Sequence, residues 1–299
     1  MNTETKTISV DGHVIEITHP DKVLFPKDGV TKFDLAAYYE KAAEKILPYL
    51  KGHPISMKRY VDGIGKGGFY QKEIPDYFPE WVGRVSIPLK EEGGKQQEVV
   101  VENSATLVYL AEQDCITPHS WLSKKNSLDY PEKLVFDLDP GNRGKFENVC
   151  DAARRLKKIL EGRGLVPFVM TTGSSGLHVV VPLSRKDNFD RVREFAKCVA
   201  DEIAREEPSL FTTETRIKSR KGRIFIDYLR NAYAATAVTP YCVRARNSAP
   251  VATPLSWDEL TEKGLSSQKY NIYNIFARLG HQKTDPWHSF ERSRKNLPK

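Results

Sequence analysis

The sequence has no apolar run close to the roughly 18 residues that a membrane-spanning helix needs. Its first six residues, Met1-Asn2-Thr3-Glu4-Thr5-Lys6, are polar and do not form an apolar signal segment. We therefore expect a cytoplasmic protein without a membrane partner.

Cysteine is also scarce. The four cysteines lie far apart and form no C-x-x-C pair, which argues against a zinc site and gives no support for disulfides.

Of the 299 residues, 39% are hydrophobic and 10% aromatic, enough to exclude wholesale disorder. We predict one α+β domain with an N-terminal lobe over about 1–130, a core over about 131–255 and a partly helical tail over about 256–299.

Acidic side chains are nearly absent from residues 214–246. This stretch holds eight lysines and arginines against only Glu214 and Asp227, and it carries most of the net charge of +7. Clustered cations are typical of a protein that binds a polyanion such as nucleic acid or a nucleotide phosphate. A basic run is more often only a solvated face, so this signal supports other evidence and does not decide alone.

Among the features that are present, the most informative is an apolar run over residues 134–139 that ends in two carboxylates. Its composition predicts a short buried strand, in which Asp137 and Asp139 share one face. Two like charges beside an apolar strand are costly, and a divalent cation bound by both would remove that cost. The alternative is a turn at Asp139-Pro140-Gly141-Asn142 with a solvated aspartate.

Two more segments bear polar groups next to apolar strands. Residues 223–228 are predicted to form a short apolar strand that carries Asp227. This aspartate either pairs with Arg230 or Arg223 or completes a three-carboxylate cage of the kind that suits Mg²⁺ or Mn²⁺. The loop Thr171-Thr172-Gly173-Ser174-Ser175-Gly176-Leu177-His178 offers backbone N–H groups, hydroxyls and an imidazole to an anion. Taken alone, such a loop is more often a turn and such a histidine a structural one.

Periodicity and turn residues predict the surrounding elements. A hairpin turns at Asp11-Gly12, and Thr31 caps an amphipathic helix. Further helices are predicted over about 145–161 and 189–206. Strands are predicted over about 55–60, 82–89, 98–102, 106–110, 167–171 and 178–183.

The combined motifs resemble a known family. The order Asp137-Leu138-Asp139, then Gly176-Leu177-His178 with its preceding serines, then Asp227 is similar to the three motifs of the archaeo-eukaryotic primase superfamily. The similarity extends to the polymerase domain of the end-joining DNA ligase called ligase D. It covers almost the whole chain through residues 19–26, 68–72, 134–140, 176–182, 227–231 and 254–260.

This resemblance implies a primase-like core, an RRM-like antiparallel sheet with flanking helices, joined to an N-terminal α/β lobe. It implies a template-directed nucleotidyltransferase that fills gaps and extends 3′ ends with ribonucleotides or deoxyribonucleotides during non-homologous end joining. Two Mn²⁺ or Mg²⁺ ions and a nucleoside triphosphate would be required. Asp137, Asp139 and Asp227 would be the catalytic, metal-binding acids.

The resemblance also assigns the residues around these acids. The nucleotide-binding residues would be Thr172, Ser174, Ser175, Gly176, His178, Arg220, Arg244, Arg246 and His119. We expect Arg244 and Arg246, two apart, to share one strand face. Many relatives have a basic residue where this chain has Ser175, so one triphosphate counter-charge would come from elsewhere, such as Lys218 or Arg220.

Contacts with the DNA end are implied as well. Lys22 and Lys32 would bind a downstream 5′-phosphate, and Phe69 and Tyr70 would stack on a template base. The implied partners are DNA with a 5′-phosphate at a gap or a 3′ overhang, ligase and nuclease modules, and a Ku-type end-binding protein. We accordingly expect association with the nucleoid.

Two other functions fit parts of the pattern. An apolar strand ending in Asp-x-Asp also opens haloacid-dehalogenase-like phosphatases, which should carry a later paired-Asp motif where this chain has a single Asp227. The second is a module that holds nucleic-acid ends without catalysis. Transfer of labelled nucleotide to a primer distinguishes both from a polymerase.

Overall fold

The computed structural model describes residues 4–89, 93–141 and 145–298. Contacts within the chain divide it into two compact units. The first unit comprises Met1–Asn126 and Val238–Val251, and the second comprises Ser127–Ala237 and Ala252–Lys299. Asn142, the last residue of the alternative turn that begins at Asp139, lies outside the described residues.

The first unit combines antiparallel sheets with two helices among its described residues. Strands β9, β5, β8 and β7 lie side by side in that order, and β6 pairs with β5. The elements are β1 (Thr5–Val10), β2 (His13–Thr18), β3 (Val23–Phe25), β4 (Val30–Thr31), α1 (Lys32–Leu50), β5 (Pro54–Arg59), β6 (Phe69–Gln71), β7 (Arg84–Pro88), β8 (Lys95–Val100), α2 (Ser104–Glu112) and β9 (Cys115–Trp121), with a 3₁₀ turn at Ile64–Lys66.

The N-terminal hairpin and the start of α1 confirm the sequence predictions. Strands β1 and β2 pair antiparallel around Asp11-Gly12. Thr31 caps α1: its hydroxyl accepts from the Asp34 N–H, and the Asp34 carboxylate accepts from the Thr31 N–H. This reciprocal capping box satisfies two backbone donors that the first helical turn otherwise leaves without partners.

The strand predicted at 106–110 is wrong, because these residues belong to α2. Asn103 caps the helix by accepting from the N–H of Thr106. Leu107, Val108 and Leu110 are all buried, and a short run that is apolar on every side cannot be identified as helix or strand from periodicity. The sequence also gave no signal for β9, whose interior carries Pro118 and several polar residues.

The second unit is built on one largely antiparallel sheet. The order of strands is β13-β14-β10-β12-β11-β16, and only the β13–β14 pair is parallel. Its elements are β10 (Lys133–Asp139), α3 (Phe146–Gly162), β11 (Phe168–Thr171), β12 (Leu177–Pro182), α4 (Phe189–Glu206), β13 (Phe211–Thr212), α5 (Ile217–Arg220), β14 (Ile224–Asp227), β16 (Pro254–Leu255) and α6 (Ile275–His281), while β15 (Thr236–Val238) runs across the boundary between the units. Single 3₁₀ turns occur at Asp258–Thr261 and Glu291–Ser293.

One face of this sheet is covered by helices α3 and α4. Leu134, Phe136 and Leu138 of β10 belong to the same buried cluster as the apolar faces of those helices. Because side chains alternate along a strand, Asp137 and Asp139 project from the opposite face. The mixed architecture confirms the predicted α+β class, with an antiparallel sheet and flanking helices in the core.

No helix within the described ranges has both the length and the apolar character required to span a membrane.

Candidate active site

Three adjacent strands place the predicted acids side by side. Asp137 on β10 is the cross-strand partner of His178 on β12 and of Asp227 on β14. His178 and Asp227 alternate with side chains of the helix-covered core, so Asp137, His178 and Asp227 all project from the face of the sheet opposite helices α3 and α4. Asp139 follows two residues after Asp137 on the same face, opposite Phe225. The chain thus brings together the three predicted carboxylates and the predicted histidine.

These carboxylates are poorly hydrated and close to one another. Burial, together with the charges of Asp137 and Asp227, raises the pKa of Asp139 to about 6, although Arg220 and His178 oppose the shift. Burial also raises the pKa of Asp227, against the effects of a hydrogen bond from the Leu229 N–H and of Arg230. A cluster of this kind gains from any cation that enters it.

The Arg230 guanidinium is one such cation. Its Nε lies 3.5 Å from Asp137 Oδ2 and 3.6 Å from Asp227 Oδ2, so it bridges the two carboxylates. While Arg230 lies between these carboxylates, no three or more His, Cys, Asp or Glu side chains among the described residues are placed to coordinate a metal ion. The donors nevertheless fit a divalent ion, because they are all carboxylate oxygens on one face and already attract a positive group.

A second arginine stands beside the acids. The Arg220 guanidinium stacks on Phe225, with 3.8 Å from its central carbon to the ring centroid. It also donates to the carbonyl oxygens of Glu214 and Thr215. Phe225 faces Asp139 across the strand pair, so this stacking holds Arg220 close enough to influence the pKa of that carboxyl.

The Gly/Ser loop connects β11 to β12 at the same end of the sheet. The Thr172 hydroxyl accepts from the N–H groups of Ser174 (3.3 Å) and Gly176 (3.2 Å) and donates to the Gly176 carbonyl (3.1 Å). The prediction that the loop amides form an open anion nest is therefore wrong for these two groups, which point inward. The hydroxyls of Ser174 and Ser175 and the His178 imidazole are further groups of this loop that can meet an anion.

His178 is the second residue of β12, the strand after the loop, and it is buried. Its Nε2 lies 3.5 Å from Asp137 Oδ1. Its Nδ1 is buried and has no hydrogen-bond partner among the residues that the structure describes. Since a buried polar atom without a partner is costly, this nitrogen is available to a ligand that enters the site.

The remaining predicted nucleotide residues lie in the first unit. Arg244, Arg246 and His119 line one cavity of about 370 Å³ with Lys58 and Tyr70. The two arginines do not share a strand face, so that prediction is wrong. The backbone turns here, with the Arg246 N–H donating to the Arg244 carbonyl (2.8 Å) and the Ala249 N–H donating to the Arg246 carbonyl (3.1 Å).

Buried hydroxyls hold the segment that leads to these arginines. Tyr39 accepts from the Val243 N–H (3.2 Å) and donates to the Ile116 carbonyl (2.7 Å). Thr117, which lines the cavity, donates to the Val243 carbonyl (2.6 Å). Burial raises the pKa of Tyr39 well above its usual value, so this phenol stays protonated.

Phe69 and Tyr70 lie on opposite faces of the β5–β6 pair. Tyr70 is opposite Lys58, whose ammonium lies 4.1 Å from the ring centroid, and faces the cavity. Phe69 is opposite Arg59 and 50% exposed. Arg59 donates to the Tyr77 hydroxyl (3.1 Å), and Tyr77 is itself 62% exposed.

The two predicted phosphate lysines are already ion-paired. Lys22 Nζ lies 2.6 Å from the Asp114 carboxylate, and Lys32 Nζ lies 2.9 Å from Glu112 Oε2. The Lys22 side chain is 29% exposed and that of Lys32 only 4%. Both backbones are also linked, since the Lys32 N–H donates to the Lys22 carbonyl. The lysines therefore form one cluster with two acids from α2 and the turn after it.

The structure adds Lys58, Tyr39 and Thr117 to the residues that the sequence predicts for these sites, and it shows Arg230 bridging two of the acids. Arg230 follows Asp227 by three residues, a spacing that the sequence shows. The contacts of Tyr39 and Thr117 join segments far apart in the chain, which no local pattern indicates.

Comparison with known proteins identifies a family. Residues 31–287 match the family described as LigD, primase-polymerase domain. A LigD protein of Pseudomonas aeruginosa, described as a multifunctional non-homologous end joining protein, is 30% identical over 95% of this chain and 34% of its own length. A LigD protein of Bacillus subtilis, described as bifunctional, is 30% identical over 95% of this chain and 45% of its own length.

A solved structure agrees in fold. The polymerase domain of Mycobacterium tuberculosis ligase D, determined in complex with DNA, matches with a TM-score of 0.86 and 27% identity, over 94% of this chain and 99% of that one. The chain spans between about a third and a half of the length of the curated relatives described above. Sequence and fold together show that the chain belongs to the family of LigD primase-polymerase domains.

Proposed function

We propose that this protein is a template-directed nucleotidyltransferase that fills gaps and extends 3′ ends at DNA breaks during end joining. The observation that carries the proposal is the row of His178, Asp137 and Asp227 across three strands, with Asp139 beside it. The family match and the DNA-bound polymerase domain with the same fold support this choice.

Asp137, Asp139 and Asp227 would hold two divalent ions, Mn²⁺ or Mg²⁺. Such ions, when bound, stabilise the attacking and leaving oxygens of a phosphoryl displacement. The Asp227 carboxylate is oriented for this role because its Oδ1 accepts from the Leu229 N–H at 2.7 Å. Without the ions, the Arg230 guanidinium offsets part of the repulsion between the Asp137 and Asp227 carboxylates.

Residues next to the acids would bind the triphosphate. His178 donates a hydrogen bond to a phosphate oxygen, and the hydroxyls of Ser174 and Ser175 add neutral donors. Arg220, stacked on Phe225 beside Asp139, supplies the positive charge that Ser175 lacks. In this proposal the primer 3′-OH attacks the α-phosphate, its proton passes to Asp227 or solvent, and pyrophosphate leaves toward His178.

The first unit would bind DNA, and it holds the remaining residues that the resemblance assigns to nucleotide binding. Arg244, Arg246 and His119 line a cavity with cationic and aromatic walls, suited to an anionic nucleotide. Lys22 is the exposed member of the lysine cluster and would meet a 5′-phosphate, with Lys32 behind it. Ligase and nuclease modules, a Ku-type end-binding protein and association with the nucleoid complete the proposed context.

Gap filling in Mn²⁺ tests the catalytic proposal. A gapped duplex with a 5′-phosphate and labelled ribonucleotide should be extended by the protein, and Asp137→Ala and Asp139→Ala should abolish extension. Asp190→Ala, an exposed aspartate on α4, is the matched control and should retain it. Normal extension by Asp137→Ala would contradict the proposal, whereas DNA binding without any extension by the wild type would favour an end-holding module.

The same substrate tests phosphate recognition. Removing the 5′-phosphate should weaken gap filling by the wild type, and Lys22→Ala should erase that difference between substrates. Lys6→Ala removes another ion-paired lysine of the same unit and should leave the difference intact. If Lys22→Ala still distinguishes the two substrates, the phosphate binds elsewhere.

A further inference from the structure

Two residues of the C-terminal tail donate hydrogen bonds to the Gly/Ser loop over residues 172–176. Ser267 Oγ donates to the Gly176 carbonyl at 2.8 Å and lies 3.1 Å from the Thr172 hydroxyl. Gln268 Nε2 donates to the Ser174 carbonyl at 2.6 Å. These two tail residues therefore contact both ends and the middle of the loop over residues 172–176.

The loop depends on these contacts because it has little regular structure of its own. Ser267 is 4% exposed, and the Thr172 hydroxyl that it approaches organises the inward amides of Ser174 and Gly176. The Gly176 carbonyl accepts from Thr172 and Ser267 at once. A hydrogen bond at such a buried junction is stronger than an exposed one, so loss of the Ser267 donor should loosen the loop even though the Gly176 carbonyl keeps Thr172 as a partner.

We infer that Ser267 and Gln268 are positioning residues for nucleotide binding: through the Gly176 and Ser174 carbonyls they fix the loop that presents Ser174 and His178 to the triphosphate. This inference rests on the proposed function of the loop. It gives the C-terminal tail a direct part in nucleotide affinity, although the tail lies more than 90 residues from the loop in sequence. Neither residue needs to touch the substrate.

A pair of adjacent serines provides the test. Ser267→Ala removes the buried donor, while Ser266→Ala changes an exposed neighbour and is the control. Ser267→Ala should raise the KM for ATP about fivefold to tenfold and weaken ATP binding equally, with the KM for gapped DNA unchanged. Loss of folded protein alone would lower kcat and leave both KM values as they were, and that result would overturn the inference.

Gln268 gives a second variant that carries little risk to folding, because its side chain is exposed. Gln268→Met keeps the length of the side chain and removes the donor, and we expect the KM for ATP to rise about threefold. Gln282→Met, elsewhere in the tail, is its control. An unchanged KM for ATP in both Ser267→Ala and Gln268→Met would overturn the inference.

Hydrogen exchange separates this inference from the proposed function. Backbone amides over 172–178 should exchange faster in Ser267→Ala than in the wild type or Ser266→Ala. Unchanged exchange would overturn the positioning role, whatever happens to activity. Exchange could also rise while neither Ser267→Ala nor Ser174→Ala alters ATP binding. In that case Ser267 does position the loop, but the loop does not bind nucleotide. The inferred effect of Ser267 on ATP affinity would then be wrong.

Discussion

At the scale of single residues, the environment of buried ionisable groups in both units is set by the side chains that pair with them. Asp227 and Asp137 share Arg230, and Lys32 shares Glu112 with Thr18. Glu98 on β8 differs, because its partner is neutral: Trp121 Nε1 donates to it at 2.9 Å. A buried carboxylate with a neutral partner retains more of its desolvation cost.

This cost predicts a pH dependence of stability. Burial raises the pKa of Glu98 from 4.5 to about 7, against the hydrogen bond from Trp121 and the charge of Lys72. The folded state therefore binds a proton more tightly than the unfolded state. The free energy of unfolding should fall as pH rises from about 4.5 through about 7, by about 3 kcal/mol from this residue.

Glu98→Gln should remove that part of the slope, as measured by urea unfolding at pH 5, 6, 7 and 8. Glu16→Gln, an exposed glutamate on β2, is the control and should unfold like the wild type at each pH. An equal slope in the wild type and Glu98→Gln would contradict the assignment.

At the scale of elements, the close packing of the Gly/Ser loop on β10 leaves room only for glycine at position 176. A Cβ atom on Gly176 would lie 1.8 Å from the Leu138 carbonyl oxygen. Gly176→Ala must therefore displace either the loop or the strand that carries Asp137 and Asp139, and we expect at least a tenfold loss of kcat/KM in gap filling. Gly162→Ala at the end of α3 meets nothing within 4 Å and should keep full activity. Equal activity of the two variants would show that the loop and β10 are not packed as described.

The alternation along β6 predicts that Phe69 and Tyr70 have different functions. Tyr70→Ala should raise the KM for nucleotide, because this ring borders the cavity of Arg244 and Arg246. Phe69→Ala should instead weaken binding of DNA with a single-stranded template, by about 1–3 kcal/mol if the ring stacks on one base. The measurements are nucleotide KM and DNA Kd for each variant. Identical effects of the two substitutions on both quantities would contradict the division between faces.

The elements also show what the sequence could and could not reveal. Thr31 alone predicted the start of α1, and the apolar alternation of β10 and β14 correctly predicted that Asp137, Asp139 and Asp227 leave the core. The uniformly apolar α2 could not be distinguished from a strand. The Lys22–Asp114 pair joins residues 92 positions apart, so only the folded chain reveals it.

At the scale of the whole molecule, each unit contains a coherent set of predicted groups. The second unit holds the acids, His178 and the loop, and the first holds the arginine cavity and the lysine cluster. The family match leaves no support for the phosphatase alternative. The end-holding alternative differs from the proposed polymerase only in the chemistry of the second unit, which makes the acids the decisive target.

Asp227→Asn offers the most direct test, since this acid reaches the site from a different strand than Asp137 and Asp139 and keeps its size in the variant. Single-turnover incorporation of one labelled ribonucleotide into a gapped duplex, with DNA binding measured on the same preparation, is the required experiment. We predict that Asp227→Asn binds DNA like the wild type and loses at least about a thousandfold in rate. Incorporation at the rate of the wild type would contradict the three-acid active site.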